Sequence, residues 1–158
     1  MTTNQNEIRI KKIGTLNDLI EATRDSANFY SDAAKAVDNP DLRKLFDHMA
    51  SSKNGLVGSM AKEVRAEGAR PAEAGTFRGA LREIYDDVRK SMGRERSDYG
   101  YVSELEKGED QLMEAFHDVI KSESAPKELK ESLRSYLPTV QAHHDTLRDR
   151  KWAMEARH

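Results

Sequence analysis

Lys53, Glu109 and His144 each interrupt an apolar stripe of helical period, at positions where a bundle helix normally carries Leu, Met or Phe. Polar groups at such positions are costly unless they are partnered. Two chemistries meet that need: a carboxylate and an imidazole can share a metal ion, or an ammonium and a carboxylate can neutralise each other. Around them lie further candidates. Ser52 precedes Lys53, Tyr30 and Tyr136 fall on inward stripes, and His143-His144-Asp145 places an acid beside two imidazoles. Adjacent helical residues diverge by about 100°, so Asp145 is expected outside the core, paired with Arg148. Glu114-x-x-His117 shares a helix with the inward-facing Leu112, Met113 and Phe116 and is expected to face solvent or a subunit contact, as is Asp47-His48. No strand-turn-helix nucleophile signature and no glycine-rich phosphate loop occurs.

The elements that must position these groups read as helices. The first stripe is Leu16, Ile20, Thr23, Ala27, Tyr30, Ala34 and Val37, with Thr15 as the expected N-cap and residues 1–14 as a polar N-terminal arm. Asp38-Asn39-Pro40 breaks it, Asn39 capping and Pro40 opening the second helix. That helix carries Leu42, Phe46, Met49, Lys53, Leu56, Met60 and Val64 and stops at Gly68. Gly55 and Gly58 inside it are expected to permit close approach of a neighbour, or to leave a gap beside Met49 and Met60 for a small apolar ligand. A shorter helix is expected over 76–92. The third long helix shows Val102, Leu105, Glu109, Leu112, Phe116 and Ile120; the fourth shows Leu129, Leu133, Tyr136, Val140, His144 and Leu147, with Pro138 expected to kink it.

Short links join the first to the second helix and the third to the fourth, whereas about thirty residues separate the second from the third. Short links make antiparallel neighbours, and one long link permits a crossover. The fold class expected is therefore all-α: a ferritin-like four-helix bundle over 15–158, its long crossover carrying the short extra helix. Counting about 1.5 Å per residue from the turns brings Thr23, Lys53, Glu109 and Gln141 to one height, with His144 about a turn away. Ferritin-like di-metal sites draw a Glu from each of two helices and Glu-x-x-His from each of the other two. Here Gln141-x-x-His144 has an amide in place of the carboxylate, and Lys53 would repel divalent cations while pairing with Glu109. A paired polar layer of Thr23, Lys53, Glu109, Gln141 and His144, with no cofactor and no catalytic residue, is the first expectation. The alternative is a di-iron carboxylate oxidoreductase of ferroxidase type, its iron on Glu109 and His144, joined by Glu106 or Glu21.

Composition narrows the function classes. The chain of 158 residues is 37% hydrophobic and 34% charged, with a formal net charge of -2. Acidic and basic residues interleave, so no basic patch recommends nucleic acid as a partner. There are no cysteines, which removes disulfides, thiolate metal sites and thiol nucleophiles. No stretch approaches the roughly 20 apolar residues of a membrane span, and the first dozen residues lack a signal-peptide core. A cytoplasmic, soluble protein without membrane partners is expected. Tyr85, Tyr99, Tyr101 and Trp152 lie off the main stripes, and aromatic residues at a surface favour self-association, so a homo-oligomer is expected.

Several of these segments carry a resemblance. Leu16-Asn17-Asp18-Leu19-Ile20-Glu21 with Asp25, Tyr30, Ala33 and Ala34, then Leu42-Arg43 with Leu45-Phe46, Glu106-Lys107-Gly108-Glu109-Asp110, and His144-Asp145 with Arg148 resemble a bacterial ferritin-like four-helix-bundle family of unknown function. The resemblance spans about Leu16 to Arg150. It implies the bundle and its crossover and no established activity. The chain departs from that family at Ser51-Ser52-Lys53 and Ser59, where Gln- and Glu-rich sequence is replaced.

Overall fold

The computed structural model describes residues 3–72 and 97–157, which form four α-helices and, among the described residues, no strand. They are α1 (Thr3–Ala36), α2 (Pro40–Ala66), α3 (Asp98–Lys121) and α4 (Lys127–Ala156). The expected short helix over 76–92 lies outside the described residues.

The ends of α2 follow from local chemistry. The Asn39 side chain accepts from Asp41 N (2.8 Å) and Leu42 N (3.3 Å), with Pro40 at the first turn, where its missing N–H costs nothing. At the other end Gly68 takes φ 78°, and Gly68 N donates to Arg65 O (2.9 Å) while Ala69 N donates to Val64 O (3.2 Å). Those paired bonds close the last turn, and the left-handed residue between them is one that glycine adopts without Cβ strain. Ser97 caps α3 by accepting from Gly100 N at 3.1 Å.

α1 differs from expectation. It begins at Thr3, and Thr15 is an interior helical position rather than a cap. The sequence before Leu16 is too polar to reveal this, because its order comes from charged contacts. Arg9 donates through Nε (2.9 Å) and Nη2 (2.6 Å) to Glu67 O, Lys12 Nζ pairs with Glu67 Oε1 (3.1 Å), and Lys11 Nζ donates to Ser124 O (2.9 Å). The first turns of α1 thus satisfy carbonyls that the end of α2 and the α3–α4 corner leave open.

These contacts fix the topology. The start of α1 meets the end of α2 and the α3–α4 corner, while the α1–α2 corner meets the start of α3, where Asp98 accepts from Asp38 N (2.9 Å) and Asn39 N (3.0 Å). α1 packs along α2, and α3 along α4. The order is therefore up, down, down, up, with α2 and α3 parallel, and the chain between them leaves one end of the bundle and re-enters at the other.

The buried apolar residues form two clusters, one at each end. The first holds Leu16, Leu19 and Ile20 of α1, Leu56 to Val64 of α2, Leu112 and Phe116 of α3, and Leu129, Leu133 and Val140 of α4. The second holds Phe29 to Val37, Leu42 to Ala50, Tyr101 to Leu105, and Leu147. On every helix the break between clusters coincides with polar residues: Thr23 and Ser26, Lys53, Glu109, and His143 with His144, all buried.

Two expectations outside this layer need correction. Gly55 and Gly58 are exposed, and a Cβ built at either meets nothing within 4 Å among the described residues, so there they neither admit a neighbour nor line an apolar gap beside Met49 and Met60. Tyr101 is 7% exposed and belongs to the second core cluster, because it lies one position before the Val102 stripe, on the side facing α1 and α2. Pro138 lies inside α4, which continues past it, and is exposed; the carbonyl it frees sits on the wet side of the helix, where water can satisfy it. Trp152 is 59% exposed, with the Arg148 guanidinium 5.0 Å from its ring centre, and Tyr85 lies outside the described residues.

Candidate functional site

The middle of the bundle is occupied by an ion pair. Lys53 of α2 reaches across the core and its Nζ contacts Glu109 Oε1, both residues essentially inaccessible to solvent. The other carboxylate oxygen, Oε2, accepts from the Tyr30 hydroxyl at 2.7 Å. Tyr30 is held in place by its ring, 5.9 Å from that of Phe46 at a tilt of 58°. Both Glu109 oxygens are thereby engaged by donors from α1 and α2. Burial holds the Lys53 ammonium below the usual lysine range, while the charge and hydrogen bond of Glu109 work against that. The carboxylate is thereby met inside the core by an ammonium at one oxygen and a hydroxyl at the other.

His143 adds a second buried polar contact, and the sequence did not single it out for the core. Its Nε2 is 2.7 Å from Ser52 Oγ, whereas Nδ1 is buried without a hydrogen-bond partner among the described residues. Desolvation, then the nearby Lys53 and His48, push its pKa down to about 3, so the ring is neutral. A signal was available: His143 lies three residues after Val140, an inward position, and i, i+3 residues share a helix face.

His144 behaves oppositely. Its Nδ1 is 3.0 Å from Asp145 Oδ1 and its Nε2 is 2.5 Å from Asp110 Oδ1. Both partners are carboxylates, an arrangement that favours the doubly protonated, positively charged ring. Partial burial opposes that charge, but the hydrogen bond to Asp145 and the charge of Asp110 outweigh it and raise the pKa. Asp145 also pairs with Arg148 (3.3 Å), so the acid orients the histidine and meets the arginine together. Glu106 stands beside Asp110, one helical turn earlier on α3, with Lys151 Nζ at 3.8 Å. Burial and the neighbouring Asp110 raise the pKa of Glu106, against the pull of Lys151 and His144.

The residues expected to share one layer therefore divide. Lys53 and Glu109 meet at the centre. Thr23 is buried at that height, but its hydroxyl donates to Leu19 O of its own helix (2.7 Å). Gln141 is half-buried and its amide donates outward to Asp145 Oδ1 (2.9 Å). His144 turns from Glu109 toward Asp110. Of the residues considered for an iron site, Glu106 and His144 converge with Asp110, their ligand atoms all within 4.8 Å of one another; among the described residues this is the one grouping of three such side chains, and it includes neither Glu109 nor Glu21. Glu21 is buried on α1. Tyr136 does not reach the layer: its hydroxyl donates to Glu63 Oε2 (2.6 Å), whose other oxygen accepts from Ser132 (2.8 Å). Burial and Glu63 raise its pKa.

Bundle, crossover order and buried central layer together define an all-helical, four-helix protein. The chain belongs to DUF2383, a domain of unknown function, whose family model matches residues 11–122, from the third turn of α1 to the end of α3. A comparison with curated proteins and one with solved structures each gave no match. No described helix is long and apolar enough to cross a membrane.

Proposed function

We propose that this is a ferritin-like bundle protein whose centre has exchanged di-metal chemistry for a structural ion pair, and that it acts by association rather than by catalysis. The up-down-down-up order supports the ferritin-like assignment. The observation that carries the functional reading is the double engagement of Glu109, by Lys53 and by Tyr30. The carboxylate that a di-metal site would require is neutralised by an ammonium that α2 sends across the core, and the expected amide-for-acid exchange at Gln141 removes a further ligand. Self-association rests on Trp152, the exposed aromatic at the end of α4.

Adding ferrous iron without oxygen and then admitting air tests the catalytic alternative, an iron-dependent oxidase. Iron oxidation no faster than in buffer, and the same in Glu109→Gln, is the expected result. Uptake of two irons per chain with rapid oxidation that the Glu109 variant loses would establish the iron enzyme instead. Light scattering checks the association: a mass above the 17.9 kDa of one chain is expected, reduced by Trp152→Ala, and a monomer at high concentration would remove that part of the reading.

A further inference from the structure

We propose that the groove between α3 and α4 holds a single divalent first-row cation, of which zinc is the type, on His144 Nε2 and the carboxylates of Asp110 and Glu106. This site is separate from the central ion pair and does not depend on what occupies Glu109.

The donor set is the first argument. Glu106 and Asp110 are four residues apart on α3, so their side chains leave one face of the helix together. α4 supplies the imidazole, and the three ligand atoms already lie within 4.8 Å of one another. Their carriers differ in freedom. The His144 side chain is 10% exposed and fixed, while Asp110 is 49% exposed and can rotate the short distance that coordination requires.

The orientation of His144 is the second and independent argument. A metal-bound imidazole commonly donates its other ring N–H to a carboxylate, which fixes the ring and makes the ligating nitrogen a better donor. Asp145 does this at Nδ1, and is itself steadied by Gln141 and Arg148. The remaining nitrogen, Nε2, points at Asp110. Nitrogen and carboxylate thus converge on one position, with Glu106 beside them. A divalent ion bound there takes the place of any proton on Nε2, which passes to solvent.

The surrounding charges are balanced for such an exchange. Glu106, Asp110 and Asp145 are opposed by Lys151, at 3.8 Å from Glu106, and by Arg148, which also stacks on Trp152 and pairs with Asp149. The Lys151 contact is long and the side chain is partly exposed, so it can swing away as the ion enters. One imidazole and two carboxylates suit zinc and its borderline neighbours better than calcium or magnesium, which favour all-oxygen shells. Three protein ligands would leave a fourth position open to water or an outside ligand.

Calorimetric titration of zinc chloride into the chelator-treated full chain at neutral pH tests this, with cobalt absorbance as a second reading of coordination. One ion per chain is expected. Asp110→Asn and Glu106→Gln should each weaken binding by about tenfold or more, and Asp145→Asn, which leaves all three ligands, by about 10- to 100-fold. Unchanged circular dichroism and melting temperature in Asp110→Asn show that the fold is retained. No zinc heat in the parent chain, or equal affinity in the parent and the Asp110 and Glu106 variants, would overturn the site. Because the central reading is tested through Glu109 and this one through Asp110, either can fail alone.

Discussion

Lys53→Met lowers the stability of the bundle by about 3–5 kcal/mol, the usual result of removing one partner from a buried ion pair. The physical reason lies with Glu109. Its Oε1 loses the ammonium and gains a thioether that donates nothing, leaving Tyr30 to stabilise a carboxylate enclosed between two apolar clusters. The chain can respond by protonating the acid or by admitting water, and either response costs part of the folding free energy. For a domain of this size the loss appears as a fall of roughly 2–4 °C in melting temperature per kcal/mol. The double variant Lys53→Met with Glu109→Leu should be less damaged than Lys53→Met alone, since no orphaned charge remains. Urea denaturation of the four proteins in the cycle measures the coupling. Equal stability of Lys53→Met and the parent would mean the two groups do not meet in solution.

Acid exposes the second large effect, which comes from His143. Its pKa is about 3 in the folded chain and near 6.5 when unfolded. Between those values the unfolded state binds a proton that the folded state excludes, so stability falls as pH falls, by about 1.4 kcal/mol per pH unit at most from this residue. His144 contributes with the opposite sign. Its folded pKa is raised, so its stabilisation is fully present below about pH 6.5 and is lost as pH rises through the folded value. Two neighbouring imidazoles thus tilt the stability profile in opposing directions, His143 on the acid side and His144 on the neutral side. His143→Gln keeps a polar partner for Ser52 but does not titrate, so its stability should fall less steeply from pH 6.5 to 4 than that of the parent. Denaturation midpoints across that range decide it; parallel curves would show that the ring of His143 reaches water and protonates normally.

The seam positions were legible because helical period and burial express the same geometry. Leu42, Phe46, Met49, Leu56, Met60 and Val64 on α2, and Val102, Leu105, Leu112 and Phe116 on α3, are all buried. Lys53 and Glu109 stood out as interruptions of those stripes, and level-counting from the turns was enough to bring them together. Side-chain direction within the layer was not legible. Thr23 has the right height, yet bonding its own helix satisfies it more cheaply than reaching Glu109. His144 and Glu109 are similarly placed, but Asp145 and Asp110 present two acceptors at the distances the imidazole needs, which outcompetes the already engaged acid. Asp110 follows Glu109 directly and so belongs to another face of α3, off the inward stripe that periodicity reveals. The first turns of α1 were unreadable for a different reason: their partners, Glu67 O and Ser124 O, are backbone atoms far away in sequence. Gly55 and Gly58 lie off the Lys53, Leu56 and Met60 stripe, so the same period that gave the seam places them on the exposed face.

A crystal grown with manganous or ferrous ions and measured at the metal absorption edge asks most directly what fills the heart of the bundle. The account predicts Lys53 Nζ against Glu109 with the Tyr30 hydroxyl on the opposite oxygen, and no anomalous peak at that carboxylate. An anomalous peak bound by Glu109 and His144, with the lysine turned out toward solvent, would contradict it.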